Sequence, residues 1–425
     1  MYFFVLKNVT IIIGDIVIDE ILDNLIYIDN KKEIKELLES NISVDEYLNS
    51  NYNRLINRWH KEYPMFDIPS GLLAINIDGN LHYYNVGNKK YNKNTIFDIA
   101  SMSKLYTEIM LINVLKEYNL TMDTKIKDVV SFYEKINELS FGDLISFGNT
   151  FLTSLDIRNC KNKEEAIKAL RTIYIDEEYR GFYQYTDLPI MVIADILETL
   201  TNMSYKKLFD KYIIDMYDLK ETYLEVDSED YLTINKKGVN DPKANIMGGY
   251  YGHAGVKVTS GDFSRFLKII SDNKILDKYL VRSKYIRKED NLKADNVAII
   301  GNLSLGTKDG ISLASIYSSK KSYTIQGSVR CHAESNEFII DGKSHFASFC
   351  FFCDLYTQYE NAKEYEKVSG KTITKEYEVD KLGKLKLCDI RSLLSYKVKP
   401  GFFKEIIDVI SKSKLIELYN SLNEK

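Results

Sequence analysis

Ile96-Phe97-Asp98-Ile99-Ala100-Ser101-Met102-Ser103-Lys104 is an apolar run that ends in a serine with a lysine three positions on. Thr95–Ala100 reads as a short strand. From Ser101 to Tyr118 the apolar residues Leu105, Ile109, Ile112 and Leu115 recur at spacings of three and four, the period of a helix. The stretch therefore predicts a strand-to-helix junction with Ser101 at the helix start. Residues three apart on a helix share a face, so the Lys104 amine reaches the Ser101 hydroxyl. The positive end of the helix dipole stabilises an alkoxide and disfavours a nearby cation, which suits a serine nucleophile with a lysine base. Bringing a lysine from about 10.4 to about 7–8 takes about 4 kcal/mol, whereas a helix terminus supplies about 1–2. Burial has to supply the remainder. A plainer reading makes Ser101 an N-cap and Lys104 a solvated first-turn lysine. Spacing does not separate the two, because the pattern recurs at Ser204/Lys207, Ser271/Lys274, Ser318/Lys321 and Ser411/Lys414. Only the first copy sits behind an apolar strand.

Outward from the junction, strands are expected at both ends and helices between. Residues 1–42 read as short strands (Tyr2–Leu6, Thr10–Ile13, Ile16–Ile18) and a charged helix around Lys31–Ser40. Ser43-Val-Asp-Glu46 has capping-box spacing and opens a helix that Pro64 ends. Gly71–Ile77 and Leu81–Val86 flank the turn Asp78-Gly79-Asn80. Residues 120–215 read as mostly helical, Gly248–Gly255 as a loop and Ser260–Ile270 as a capped helix. Strands then follow at Val297–Ile300, Ile311–Tyr317, Tyr323–Arg330, Glu337–Ile340 and Phe346–Asp354. The pattern predicts an α+β fold: one antiparallel sheet built from distant segments and flanked by helices, with an inserted all-helical subdomain at about 101–215. The cleft between the two is the expected site. Residues 43–365 form the expected main domain, 1–42 an extension and 366–425 a C-terminal α/β appendage.

The chain has 425 residues, 57 Lys and Arg against 61 Asp and Glu, and a net charge of −4 with both signs dispersed. That excludes an extended cationic footprint for nucleic acid or anionic membrane. Five cysteines are too few, and odd in number, for a disulfide framework, which favours a reducing compartment. The apolar N-terminus carries Asp15, Asp19 and Glu20 and no small-residue cleavage site, and no segment reaches the ~18 uninterrupted apolar residues of a bilayer span. A cytoplasmic protein is expected.

Phe97-Asp-Ile-Ala-Ser-Met-Ser-Lys104 resembles the first motif of class C β-lactamases, their penicillin-binding relatives and the serine esterases that share their fold. Tyr183-Gln-Tyr185-Thr-Asp187, directly before the apolar helix Leu188–Leu200, is similar to the family's second motif, Y-x-N or Y-S-D. Asp241-Pro-Lys-Ala-Asn-Ile-Met-Gly-Gly-Tyr-Tyr-Gly-His253-Ala-Gly-Val-Lys-Val-Thr-Ser-Gly-Asp262 is similar to its D-P-x-A…G-G…G-H-A-G-L-F-S-T-x-x-D-L segment. Together the motifs cover about residues 43–360 and imply the β-lactamase/transpeptidase-like fold. The resemblance implies that Ser101 is the acylated nucleophile, Lys104 its base, and Tyr185 a phenol that relays protons to the leaving group. Asp187 replaces the commoner Asn. Its carboxylate only accepts hydrogen bonds, so it either weakens Lys104 as a base, selects a cationic or donor-rich substrate, or caps the following helix.

The family's last motif, K-T-G or H-x-G, has no full counterpart. The nearest match is Ile325-Gln326-Gly327, where Gly327 admits substrate to the backbone and the Ser328 amide pairs with that of Ser101 as an oxyanion hole. Apolar Ile325 removes the usual cation, and Arg330 shares the face of Gln326 and Ser328. His253 reads as structural. Cys350-Phe-Phe-Cys353 places its thiols on opposite faces of a strand, against zinc or redox use. Gly370-Lys-Thr372 lacks the upstream glycine of a phosphate loop. The implied protein is a cofactor-free serine hydrolase, an esterase, amidase or acyltransferase acting on a small-molecule or peptide-like acyl substrate, with no metal. The alternatives are a penicillin-binding D,D-peptidase or β-lactamase, or a non-turnover sensor on the same fold.

Overall fold

The computed structural model describes residues 31–62, 71–86, 90–180, 182–183, 186–227, 231–232, 241–273, 275, 286–287, 303–305, 322–327, 331–340, 343–353 and scattered positions between 409 and 421. The strands expected at 2–18, 297–300 and 311–317, and most of the 366–425 appendage, lie outside these residues.

The main sheet has six strands in the order 303–305, 322–327, 331–340, 343–353, 71–77 and 80–86, all neighbours antiparallel. Strands from both ends of the chain thus meet in one sheet, as the sequence predicts. The Asp78-Gly79 turn is built from two left-handed residues, with φ of 51° and 102°. Asn76 Oδ1 accepts from the Gly79 amide at 2.7 Å, and Asp78 exchanges hydrogen bonds with the Phe346 backbone at 2.9 and 2.7 Å. The turn therefore fixes the register of the strand Gly71–Ile77, which is buried along its whole length.

Helices cover both faces. On one, Ser260–Asp272 lies against Gly71–Ile77 and Lys343–Cys353, where Ser264 Oγ meets Ser348 Oγ and Cys350 Sγ at 3.1 and 3.3 Å. Burial pushes the Cys350 thiol up to about 12, so it stays protonated and inert. On the other face, Val44–Glu62 packs on Asn80–Val86 through Tyr52 against Tyr84, ring centroids 4.6 Å apart, and Asp45 with His82. The C-terminal segment reaches the first helix, Lys31–Glu39, through Lys412 and Glu33, and Asn420 donates to the Ile42 carbonyl.

A second sheet places the central junction. Ile96–Asp98 runs antiparallel to Lys257–Thr259, with Thr222–Tyr223 and Tyr231–Leu232 outside them. The helix Ser103–Glu117 then passes through the middle of the molecule, buried on nearly every side from Ser103 to Leu115. Tyr106 stacks on Phe266 at 4.6 Å on the sheet side, while Leu188–Thr201 packs against the helix from the inserted subdomain. The subdomain's helices surround a buried Asp195 that accepts two bonds from Arg171 and one from Tyr133. The subdomain is not all-helical as expected: it also contains a two-stranded ribbon, Asn149–Leu152 with Tyr174–Arg180. Alternation did not announce this ribbon, because Asp176, Glu177, Glu178 and Arg180 make its second strand mostly polar.

The loop before Lys257–Thr259 depends on its glycines, most tightly at Gly255. Gly255 has φ of +107°, and a Cβ there would lie 2.4 Å from the Gly249 carbonyl oxygen and 2.5 Å from Tyr250 Cα. Gly255→Ala should lower unfolding stability by at least about 2 kcal/mol, measured by urea titration. Gly79→Ala, where φ is +102° but the space is open, should cost only the backbone component, about 1 kcal/mol. Equal losses would contradict the packing argument.

Candidate active site

Ser101 stands on a strained elbow. After the strand Ile96–Asp98, Ala100 takes φ of +47°, a region costly for a residue with a Cβ. Asp98 holds it there by accepting from the Ala100 amide at 2.8 Å. Ala100–Met102 forms a 3-10 turn, and the α-helix proper begins at Ser103. The α-helix thus starts two residues later than expected, and Ser101 is not its N-cap: that position belongs to Met102, which has no side-chain cap bond. The neighbouring loop is pinned to the elbow, since the Ile99 amide donates to the Val256 carbonyl and Ser103 Oγ accepts from the Val256 amide, both at 3.1 Å.

Lys104 is fully buried, which rules out the solvated first-turn lysine, while Ser101 is partly exposed. Lys104 Nζ lies 3.0 Å from Ser101 Oγ, 2.7 Å from Asp187 Oδ1 and 3.3 Å from the His253 carbonyl oxygen. An ammonium donates to all three. A neutral amine donates to Asp187 and the His253 carbonyl and leaves its lone pair directed at the Ser101 hydroxyl. The two fixed acceptors therefore orient the amine for proton abstraction in its uncharged form. The carboxylate at 2.7 Å also stabilises the charged form, so this geometry serves base chemistry only if the pull of Asp187 is offset.

Asp187 occupies the N-cap position of Leu188–Thr201 but makes no capping bond. Its second oxygen, Oδ2, binds Lys243 Nζ. Burial opposes its charge, but Lys104, Lys243 and His253, with the Lys104 hydrogen bond, outweigh that cost and hold the carboxyl well below the usual range. Burial likewise opposes the charge of Lys243, and Asp187 and Asp241 overcome it, leaving the ammonium more firmly protonated than an ordinary lysine. Asp241 caps the short helix Pro242–Ile246, accepting from the Lys243 and Ala244 amides at 2.8 and 3.0 Å. His253 Nε2 meets the same Asp241 oxygen at 2.9 Å and its Nδ1 meets the Tyr251 carbonyl at 2.7 Å. Its ring is buried and committed on both sides, the structural role expected.

Asp187, Asp241 and His253 bring ligand-type atoms within 4.8 Å of one another. The Asp187 oxygens, Asp241 Oδ1 and both His253 nitrogens already have partners, and two ammonium groups stand beside them, an arrangement that repels a dication.

The expected residues divide into three groups. Ser101, Lys104 and Asp187 are brought together. Gln326 and Gly327 lie on the strand Ser322–Gly327, which runs against the Ala100–Met102 turn, so this strand borders the segment that carries Ser101. Tyr185 and Ser328 lie outside the described residues. Lys243 escaped sequence reading; its signal was its place two residues after Asp241 in the D-P-x-A match.

A family model described as Beta-lactamase matches residues 60–307, more than half of the chain. The chain belongs to the Beta-lactamase family. Teichoic acid D-alanine hydrolase of Staphylococcus aureus is 24% identical over 192 residues, 44% of this chain and 48% of that protein. The chain thus spans about half the length of the curated relatives it matches. Among solved structures, the octameric penicillin-binding protein homologue of Pyrococcus abyssi aligns with TM-score 0.50 at 15% identity over 77% of this chain and 78% of that one. A β-lactamase of Sulfitobacter aligns with TM-score 0.51 at 14% identity over 77% and 98%. At these identities the likeness shows the fold: the β-lactamase/transpeptidase-like α+β architecture predicted from the motifs.

A carboxyl with a depressed folded value stabilises the fold above its unfolded value, about 4, and stops doing so as pH falls towards the folded one. The stability advantage of the protein over Asp187→Asn should therefore be constant from neutrality down to about pH 4 and shrink below it. Chemical unfolding across that range checks this. A pH-independent difference would contradict the buried ion pairs.

Proposed function

We propose that the chain is a serine hydrolase that forms an acyl-enzyme on Ser101 from an ester or amide. The observation that carries this is the fully buried Lys104 amine at 3.0 Å from the Ser101 oxygen, oriented by two further acceptors. Neutral Lys104 takes the hydroxyl proton as Ser101 Oγ bonds to the substrate carbonyl carbon. The negative charge that develops on the carbonyl oxygen is held by the amides of Ser101 and Ser328. Gln326 and Gly327 line the substrate on that strand. As the carbonyl re-forms, the bond to the leaving group breaks, and the proton reaches that group through Tyr185. Water, or another acceptor, then attacks the ester carbon and releases Ser101 by the reverse proton path.

The likeness to a teichoic acid D-alanine hydrolase directs the first substrate tests to esters of D-alanine. Loss of the usual last-motif cation at Ile325 favours esters and amides over the carboxylate-bearing substrates of cell-wall peptidases and β-lactamases. A cytoplasmic location is supported by the small, odd cysteine count and the free, buried thiols Cys160 and Cys350. Among the described residues, no helix is long and apolar enough to cross a membrane. Residues 43–365 carry this activity in the proposal, with 366–425 as an appendage.

The Asp187–Lys104 ion pair supports a second reading, a sensor that is acylated but does not turn over, because a charged Lys104 is a poor base for water. Activated esters and D-alanyl esters separate the two. Multiple turnover that drops at least ~10³-fold in Ser101→Ala supports the hydrolase. Stoichiometric labelling of Ser101 without release supports the sensor, and turnover that survives the substitution contradicts both.

A further inference from the structure

Asp187 is shared. Lys104 Nζ binds Oδ1 at 2.7 Å and Lys243 Nζ binds Oδ2, so one carboxylate serves two ammonium groups that arrive from different elements. Lys243 comes from the short helix Pro242–Ile246, whose N-cap Asp241 is itself braced by His253. The same His253 offers its carbonyl to Lys104. The two amines are therefore tied into one frame by Asp187 on one side and the 241–253 segment on the other.

The electrostatic consequence follows from the count of charges. Asp187 alone would hold Lys104 as an ammonium, with no lone pair for the Ser101 proton. A second cation on the far oxygen neutralises much of that pull and adds a like charge nearby, and both effects favour losing a proton from Lys104. Resting on the acyl-enzyme reading above, we propose that Lys243 is a positioning residue: by occupying the other oxygen of Asp187 it releases Lys104 to act as the base. Lys243 does not touch the reacting atoms. It also explains how an Asp is tolerated at a position where the family commonly has Asn, since the pair Asp187–Lys243 is together neutral, like the amide it replaces.

Among the described residues, these charged groups face the pair. Lys104 faces Asp187 and, on its own helix, Glu108, whose carboxyl burial pushes well up against the opposing pull of Lys104. Lys243 faces Asp187, Asp241, Lys104 and, at longer range, Asp156. His253 stands between Asp241 and the Tyr251 carbonyl. Of these, Lys243 is the one cation bonded to Asp187 besides Lys104 itself.

The test is the pH dependence of Ser101 labelling by a fluorophosphonate, with intact mass as readout. Lys243→Met should move the acidic limb of the labelling rate upward by about one pH unit or more, a roughly tenfold loss at neutral pH that alkaline pH restores. Lys243→Arg keeps the charge and should restore the original limb. In an Asp187→Asn background, Lys243→Met should move the limb less, because the shared carboxylate is gone. Lys243→Gln, which retains a donor to Asp187 without charge, replaces Lys243→Met should thermal unfolding show that Met disrupts the fold. A limb that stays in place, or a loss equal at every pH, assigns Lys243 a purely structural role and overturns the proposal while leaving Ser101 as nucleophile. Absence of labelling in the unmodified protein at every pH overturns the acyl-enzyme reading and this proposal together.

Discussion

A lysine amine with no exposure to solvent, bonded at once to a hydroxyl, a carboxylate and a backbone carbonyl, is the constraint around which this protein is arranged. Burying such a group unpaired costs several kcal/mol, so the fold must bring acceptors to it. It does so from separate parts of the chain: Ser101 from the elbow, Asp187 from the head of a subdomain helix, and the His253 carbonyl from a glycine-rich loop. The main sheet, the four-stranded sheet and the subdomain together make this convergence possible. The four-stranded sheet anchors the elbow beside the loop, and the subdomain closes over the other side of the helix Ser103–Glu117.

Strain and charge are concentrated at the same place. Ala100 adopts a left-handed backbone held by Asp98, and the next residue is Ser101, the proposed nucleophile. Immediately behind it runs a chain of alternating charge, Lys104, Asp187, Lys243 and Asp241, ending on the His253 ring. Such a chain polarises along its length, so the state of its last members bears on its first. That makes Asp187 more than a substitute for an amide. It turns a local hydrogen bond into the centre of a network.

The sequence carried the outline of this well. Apolar periodicity and the Asp78-Gly79 turn located the central helix and hairpin, because both depend on local rules. Spacing and context offered the Ser101–Lys104 pairing without deciding it, and the resemblance to the family's motifs singled out both that pair and Asp187. What stayed hidden depends on long-range contacts. The ribbon Asn149–Leu152 with Tyr174–Arg180 has a polar second strand. Whether Lys104 was buried or solvated could not be read from a helix start, since its cover comes from residues more than 80 positions away. The place of Lys243 in the D-P-x-A match marks the residue but not its partner; only the fold sets it against Asp187.

The account stands or falls on the charge of Lys104 at the pH where Ser101 reacts. Its amine signal, assigned by comparison with Lys104→Met, can be followed by nitrogen-15 NMR on lysine-labelled protein through a pH titration. The account predicts that Lys104 loses its proton over the same pH range in which Ser101 acylation accelerates. A Lys104 that remains an ammonium throughout that range, while Ser101 continues to react, would contradict it.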